Sequence, residues 1–241
     1  MSCPDTKRVF HAVAFEPTVK RQLADLRAHH AESYEHSLAV ARLSIRLGLI
    51  AAKDEERVYT LAAGAVLHDI GKRGIPVRLL DKAGQLTPEE DTQRRTHPSL
   101  GVRYINGTRF GYGIDADGVK AIIGGHHEYQ SREGRPAYPR ATPRTNGWAD
   151  LVQIVAACDS FRGLVEMRPY KRGLSPVEAI EKLYPQYTGD PYYVDRLAEL
   201  VLDTNGSIRA HGHPPVGDPR TGYDRQVTRS AWDSPRTRSK I

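Results

Sequence analysis

The segment AVLHDIGK, residues 65–72, decides how this chain is interpreted, because it places His68 directly beside Asp69. Apolar residues precede the pair, and a glycine and a lysine follow it. Two side chains that bind metal ions, in consecutive positions, indicate either a metal centre or the capped polar end of a helix. The rest of the chain has to distinguish these alternatives.

Adjacency is informative because neighbouring residues of a helix point about 100° apart. His68 and Asp69 would therefore not easily bind one ion in the same way. The pair favours a site with two ions, in which a carboxylate bridges and imidazoles bind on each side. His126 and His127 repeat this arrangement after AIIGG. Nitrogen and oxygen donors without a thiolate favour iron, manganese, cobalt or nickel, and zinc also fits them.

Other polar residues lie at positions that helices would carry. Glu32 and His36 are four residues apart, so both can extend from one helix face towards one point, although a plain surface pair has the same spacing. His97, in RTHPSL, is by itself more typical of a surface or capping residue than of a metal ligand. Asp159 stands in the apolar run VAACDSF, and an acid buried there must be paired or bound.

The pattern of apolar residues predicts an all-α fold. Two capping boxes, Thr87–Glu90 and Ser175–Glu178, have Pro at the first helical position, and Asp190-Pro191 opens a further helix. Convincing period-2 alternation between turn signals is missing, which argues against a sheet. The helical spacing is followed by Leu38, Ala41, Leu43, Ile45 and Leu49, and by Val58, Leu61, Ala62, Ala65 and Val66.

Composition limits the class of protein. The chain has 241 residues, no apolar run long enough to span a bilayer and no signal-like stretch in MSCPDTKRVF, so we expect a cytoplasmic protein without a membrane role. Its two cysteines, Cys3 and Cys158, form no C-x-x-C pair, so the sequence suggests neither a zinc ribbon nor a disulfide scaffold. Any metal is then bound by histidine and carboxylate.

The net charge of +6 is unevenly distributed along the chain. Seven Lys/Arg and three Asp fall in residues 206–241, which leaves +2 for the rest. A basic segment rich in Pro and Gly is typical of a solvated, disordered tail, so nucleic-acid binding is not expected. The predicted organisation is an N-terminal helical extension (1–31), a catalytic domain (32–204) and the tail (205–241).

Taken in order, these motifs resemble the HD superfamily of metal-dependent phosphohydrolases. More narrowly, they resemble the HD-GYP family of cyclic di-GMP phosphodiesterases, with a divergent GYP loop. The similarity runs from about Glu32 to Leu183 and rests on His36, HDIGK (68–72), THPSLG around His97, HHE (126–128), Asp159 and RPYKRGLSPVEAIEKL.

The resemblance implies a helical HD-domain bundle with a di- or trinuclear metal centre in its core. Asp69 would bridge two ions and would be catalytic together with Lys72, which would also face the substrate phosphate once Gly71 lets the chain turn. The divalent ions would be iron or manganese first, with cobalt, nickel or zinc as alternatives. The implied ligands are Glu32, which would support a third metal, His36, His68, Asp69, His97, His126, His127 and Asp159.

The loop that follows HHE departs from the family pattern. It reads REGRPAYPR, with Ala137 where the family has glycine, so Tyr138 and Pro139 remain of the motif. Alanine adopts positive φ less readily than glycine, which predicts a different loop shape. Arg162 and Gln153 stand where the family commonly carries an Asp and an Arg. The implied substrate contacts are Lys72, Tyr138, Pro139, Arg168 and Lys171.

The predicted function is hydrolysis of cyclic di-GMP to linear pGpG, and to GMP in a trinuclear version. The partner is then a small-molecule cyclic dinucleotide, and homodimer formation is left open. One alternative keeps the metal site but changes the substrate to another cyclic dinucleotide or a nucleotide. Another alternative is a catalytically weak metal-binding protein that acts in signalling or as a scaffold.

Overall fold

The computed structural model describes residues 5–51, 53–111, 113–131, 137–138, 147–167 and 172–202. Over these residues the chain forms α-helices and two short 3₁₀ segments, and β geometry is limited to one bridge between Gln130 and Tyr187. The predicted all-α class is therefore confirmed. Within the same residues, every helix is too short or too polar to cross a membrane.

Eleven α-helices make up the described part of the chain. They are α1 (Thr6–Ala14), α2 (Pro17–His29), α3 (Ala31–Ile50), α4 (Glu55–Leu67), α5 (Val77–Leu80), α6 (Pro88–Arg94), α7 (His97–Tyr104), α8 (Ala116–Gly125), α9 (Ala149–Val165), α10 (Pro176–Leu183) and α11 (Pro191–Leu202). The 3₁₀ segments are Ile70–Gly74, between α4 and α5, and Tyr184–Gln186, between α10 and α11.

Helix α4 runs through the middle of the core. Every residue from Val58 to Leu67 is buried, so this helix is apolar on all sides rather than amphipathic. It packs against α3 and α8, while α3 also packs against α9. Gly64 allows the close approach of α8, because a Cβ atom there would lie 2.8 Å from Cβ of Ile122. The carboxyl ends of α4 and α8 are thus brought side by side.

Local start signals behave as the sequence predicts. Both capping boxes form, with Glu90 and Glu178 returning a hydrogen bond to the backbone of the capping residue. The Asp190 carboxylate accepts a hydrogen bond from the backbone N–H of Tyr192 at the start of α11. These interactions lie within one helical turn, which is why the sequence alone reveals them.

The N-terminal helices share the core of the remaining helices. Val9 and Val13 of α1 and Leu23 and Leu26 of α2 belong to the same buried apolar cluster as α4. Only His30 separates α2 from α3. The boundary predicted between residues 31 and 32 stays a prediction, and the tail from residue 205 lies outside the described residues.

Candidate metal centre

Five predicted histidines and two predicted aspartates come together at one end of the bundle. His36 lies in the second turn of α3, and Asp159 lies in α9. His68 and His126 directly follow the last residues of α4 and α8, so each ends a helix that the core fixes in place. The remaining members of this cluster are Asp69, His97, which is the first residue of α7, and His127.

Backbone carbonyls fix the orientation of three of these imidazole rings. A carbonyl oxygen can only accept, so Nδ1 of each ring must carry the proton and donate it. Nε2 of each ring then holds a lone pair that faces the centre of the cluster. The acceptors are the carbonyls of Ala65 for His68, Arg94 for His97 and Ile123 for His126, each at 2.8 Å.

The lone pairs of His97 and His126 face each other. Their Nε2 atoms are 3.2 Å apart, and both Nδ1–H groups are already donated elsewhere. A hydrogen bond between the rings would require one of them to be an imidazolium ion. Burial lowers the pKa of His97 to about 3 and that of His126 to about 4, so both are neutral at pH 7. Two facing lone pairs repel each other unless a cation lies beside them.

The Asp69 carboxylate lies between two groups of histidines. Its Oδ1 is 3.4 Å from Nε2 of His97, and its Oδ2 is 3.4 Å from Nε2 of His68 and 3.9 Å from Nε2 of His36. Burial alone would raise the pKa of Asp69, but Lys72, His68 and His97 outweigh it and hold that pKa well below its usual value. Asp69 is therefore an ionised carboxylate with its two oxygens directed to opposite sides.

Nitrogen and oxygen atoms of the cluster form three sets that are close enough to share an ion. Within each set, one ligand atom per residue lies within 4.8 Å of the others. The third set shares His126 with the first and His68 with the second, and it adds Asp69, which agrees with the two-ion arrangement expected from adjacent ligands. The sets are His97 with His126 and His127, His36 with His68 and Asp159, and His68 with Asp69 and His126.

The donor atoms fit divalent metal ions. Nε2 of His68 is buried and has no hydrogen-bond partner among the described residues, and a buried polar atom of this kind requires a partner. The facing Nε2 lone pairs of His97 and His126 likewise require a partner. Imidazole and carboxylate donors in this ratio suit iron, manganese, cobalt, nickel or zinc, which is the predicted choice of metals.

His36 differs from the other rings because two carboxylates accept its protons. Its Nε2 is 2.9 Å from Oδ1 of Asp159, and its Nδ1 is 2.8 Å from Oε2 of Glu166. Burial alone would lower the pKa of His36, but these two acids raise it to about 9. For Asp159, the hydrogen bond from His36 and the nearby histidines outweigh burial, and its pKa lies well below the usual value.

His127 is oriented by the side chain of Gln130. The amide oxygen of Gln130 accepts Nδ1–H of His127 at 2.8 Å, and its amide nitrogen donates to Oδ2 of Asp159 at 3.0 Å. The same nitrogen lies within hydrogen-bond distance of two backbone carbonyls. Gln130 therefore links the predicted ligands that follow α8 to the predicted ligand on α9.

Lys72 contacts Asp69, the acid with which it was predicted to act in catalysis. Its Nζ donates to Oδ2 of Asp69 at 2.5 Å, and its side chain is half-buried. Both residues belong to the turn that leaves α4, since Lys72 is in the 3₁₀ segment Ile70–Gly74. A cation is thus available at the border between the cluster and its surroundings.

Tyr138 covers one side of the cluster. Its ring stacks on that of His127, with 4.5 Å between centroids and 26° between planes. Arg94 donates to the Tyr138 hydroxyl at 3.4 Å, and the guanidinium of Arg95 lies 4.6 Å from the ring centroid. Asp91 binds both arginines. The other predicted substrate contacts, Pro139, Arg168 and Lys171, lie outside the described residues.

Glu32 is the one predicted ligand that the structure does not bring into this cluster. Its side chain is exposed, and its carboxylate lies near the imidazole ring of His30 and the carboxylate of Asp81 in a separate group. Nδ1 of His30 accepts the backbone N–H of Ser33 and so caps α3, while its Nε2 contacts Asp81 at 2.8 Å. The spacing of Glu32 and His36 puts both on α3, but their side chains take part in different groups.

Three residues that contact the cluster were not predicted from the sequence. Glu166, Gln130 and Arg94 each touch a predicted site residue, yet none belongs to a metal-ligand motif. Gln130 follows His127 by three residues, a spacing that favours contact in a turn and was the one available signal. Glu166 is 130 residues from His36, so no local pattern could reveal it.

Comparison with known proteins agrees with this geometry. A family model described as HD domain matches residues 18–193. The cyclic di-GMP phosphodiesterase PA4108 of Pseudomonas aeruginosa is 30% identical over 176 residues, which are 71% of this chain and 40% of that protein. The 3′3′-cGAMP-specific phosphodiesterase 1 of Vibrio cholerae is 31% identical over 144 residues, 59% of this chain and 31% of that protein. The chain therefore spans less than half the length of these relatives.

A solved structure has the same fold. The HD domain of the L. monocytogenes phosphodiesterase PgpH, in complex with cyclic-di-AMP, superposes with a TM-score of 0.55. The match covers 80% of this chain and 100% of that one at 16% sequence identity. At this identity the likeness shows the fold alone, and it confirms the predicted HD-type helical bundle.

Proposed function

We propose that this chain, which belongs to the HD domain family, is a metal-dependent phosphodiesterase that hydrolyses cyclic di-GMP to linear pGpG. One observation carries the proposal. The lone pairs of His97 and His126 face each other beside the ionised Asp69 carboxylate, an arrangement that divalent cations would stabilise. Cyclic di-GMP is proposed as the substrate because a relative is named as a cyclic di-GMP phosphodiesterase.

Two ions are proposed, with Asp69 between them. One would be held by His97, His126 and His127, and the other by the group on α3, α4 and α9 that contains His36, His68 and Asp159. Iron or manganese is the proposed metal, and cobalt, nickel or zinc would suit the same donors. The group of Glu32 with His30 and Asp81 is separate, so a third ion has no support from Glu32.

The bound ions would act as Lewis acids towards the phosphate and would supply a water-derived nucleophile at neutral pH. Residues of the chain would contact the substrate at this centre and offset its charge. Lys72 would approach a non-bridging phosphate oxygen and offset charge that develops on it. Tyr138 would shield the centre from solvent and contact the substrate on the side of His127. Pro139, Arg168 and Lys171 complete the proposed substrate contacts.

Hydrolysis by the purified, metal-loaded protein tests the proposal. Incubation with cyclic di-GMP and excess Mn²⁺, or Fe²⁺ without oxygen, should yield linear pGpG in liquid chromatography. Further conversion to GMP is measured in the same runs. Asp69→Ala should abolish turnover, because it removes the carboxylate between the two ions. Asp195→Ala is the control, since it removes a half-buried acid that accepts a hydrogen bond from the exposed Tyr184.

A protein that holds about two ions per chain and yet makes no linear product would contradict cyclic di-GMP hydrolysis. A second candidate substrate, another cyclic dinucleotide, is favoured by the relative specific for 3′3′-cGAMP and by the divergent loop at 132–140. A panel of cyclic di-GMP, 3′3′-cGAMP, deoxynucleoside triphosphates and nucleoside monophosphates separates the two. The preferred substrate is the one with the highest kcat/KM.

The scaffold alternative makes a different prediction for the same sample. A binding protein without turnover would hold fewer than about two ions per chain and would leave every member of the panel intact. Cytoplasmic location, homodimer formation and the lack of nucleic-acid or membrane binding stay predictions of the sequence. Size-exclusion chromatography with light scattering tests the oligomeric state.

A further inference from the structure

Glu166 makes a contact that the proposed activity does not use. It directly follows the last residue of α9, and its Oε2 accepts Nδ1–H of His36 at 2.8 Å. The opposite nitrogen of the same ring points to Asp159 at 2.9 Å. Glu166 therefore acts on the far side of the ring from the centre and does not enter the cluster itself.

The position of Glu166 is fixed by Arg162, one helical turn earlier. Nη2 of Arg162 donates to Oε1 of Glu166 at 3.0 Å, and the backbone N–H of Glu166 donates to the carbonyl of Arg162 at 3.0 Å. The two carboxylate oxygens thus have different partners, Arg162 for one and His36 for the other. Glu166 is half-buried, so solvent screens these interactions only in part.

His36 is thereby distinguished from the other rings of the cluster. Three of them donate Nδ1–H to neutral backbone carbonyls, and His127 donates to the neutral amide of Gln130. Among these five rings, His36 alone donates Nδ1–H to a carboxylate. A carboxylate that accepts this proton fixes the tautomer and makes the opposite nitrogen a stronger donor to a metal.

We propose that Glu166 is a positioning residue that raises the metal affinity of the group formed by His36, His68 and Asp159, and that Arg162 holds it in place. This inference rests on the metal centre of the proposed function. It also gives a role to Arg162, which stands where the resemblance leads one to expect an acid: Arg162 donates to Glu166, four residues later.

Metal binding measured without turnover tests the role of Glu166. Metal-free protein is titrated with Mn²⁺ against a competing chelator, and bound metal is counted by elemental analysis. In Glu166→Gln the amide oxygen can still accept Nδ1–H, but the negative charge is lost. We expect one of the two ions to bind about 10-fold more weakly in this variant, and about 100-fold more weakly in Glu166→Ala.

Two further variants separate positioning from a general effect on the fold. Arg162→Gln should weaken the same ion by a smaller factor, because Glu166 remains but loses its anchor. Glu199→Gln is the matched control, since it removes a similar charge from an exposed ion pair with Arg196 on α11. Melting of the metal-free variants by circular dichroism shows whether they are folded, and only a folded variant is used for the titration.

Unchanged affinities for both ions in folded Glu166→Gln and Glu166→Ala would overturn the inference. An equal loss for both ions would also overturn it, because the contact involves one group. Failure of the proposed function is recognised separately. If the wild-type protein binds two ions but hydrolyses nothing, the substrate assignment fails while the Glu166 test stands. If the wild-type protein binds no metal, both fail.

Discussion

Gly71 lies against the backbone of His97 so closely that a Cβ atom on residue 71 would overlap the carbonyl oxygen of His97. The same atom would lie 2.6 Å from the amide nitrogen of Gly101, on the next turn of α7. Gly71 does lie in a turn, as the sequence predicts, but its φ is not in the left-handed region. Glycine is required here because the segment after Asp69 packs directly on the helix that carries His97.

Gly71→Ala should therefore destabilise the fold and displace His97, a proposed metal ligand. The methyl group would push α7 away from the 3₁₀ segment, with an expected loss of about 1–3 kcal/mol or more in the free energy of unfolding. Urea denaturation of the metal-free protein measures this loss. Gly84→Ala is the control, because a Cβ atom at Gly84 would have no neighbour within 4 Å. Equal stability of the two variants would contradict the packing argument.

Lys72→Met should separate catalysis from metal binding. Lys72 donates to Asp69, and its positive charge opposes the binding of cations nearby. We expect kcat to fall by about 10²- to 10³-fold, the usual effect of removing one group that stabilises developing charge. Metal content, measured by elemental analysis, should stay at the wild-type value or rise. Loss of metal together with activity would show that Lys72 supports the ligands instead.

Arg94→Met should weaken substrate binding through Tyr138. Arg94 donates to the hydroxyl of Tyr138, which stacks on His127. Without this contact the tyrosine ring loses a restraint, so KM for the cyclic dinucleotide should rise several-fold while metal content stays unchanged. Lys120→Met, on the exposed pair with Asp117, is the control for loss of one surface cation. Steady-state kinetics with an unchanged KM would refute this role.

From the pKa values of the buried histidines, we expect the free energy of unfolding of the metal-free protein to be largest near pH 6.5. Burial lowers the pKa of His97 to about 3 and of His126 to about 4, and lowers that of His127 as well. Below pH 6.5 the unfolded chain then binds more protons, and stability falls as the pH falls. Burial raises the pKa of Glu128 to about 7, so below that pH this carboxyl group binds more protons in the folded protein than in the unfolded chain. Glu128 therefore partly offsets the loss of stability caused by the histidines at acid pH. His36, with a pKa of about 9, binds its proton more tightly in the fold, so stability also falls from pH 6.5 to 9.

Denaturation of the metal-free protein between pH 5 and 9 checks both slopes. Each histidine contributes at most about 1.4 kcal/mol per pH unit. His126→Gln should reduce the slope on the acid side, and His36→Gln should remove the slope on the alkaline side. A stability that is flat across this range in the wild-type protein would contradict the assigned protonation states.

Sequence patterns predicted the helices because helix signals are short-range. They predicted most of the cluster because its motifs follow one another in the order typical of a known family. The capping boxes at Thr87 and Ser175 act within one turn, and α4 is apolar throughout because it is surrounded by other helices. The order of His36, His68-Asp69, His97, His126-His127 and Asp159 identified the HD-type fold, which the family model and the fold comparison confirm. The ligand roles themselves stay predictions until metal is measured.

Partners brought together by the fold could not be predicted in this way. Glu166 contacts His36 although 130 residues separate them, because α3 packs against α9, and Gly71 meets α7 because α7 packs on the 3₁₀ segment that follows α4. Glu32 was expected beside His36, but on the helix surface its side chain lies with His30 and Asp81. Helical spacing determines which face a residue occupies. Only the packing of whole helices determines which faces meet, and hence which acids, amides and carbonyls orient each ligand.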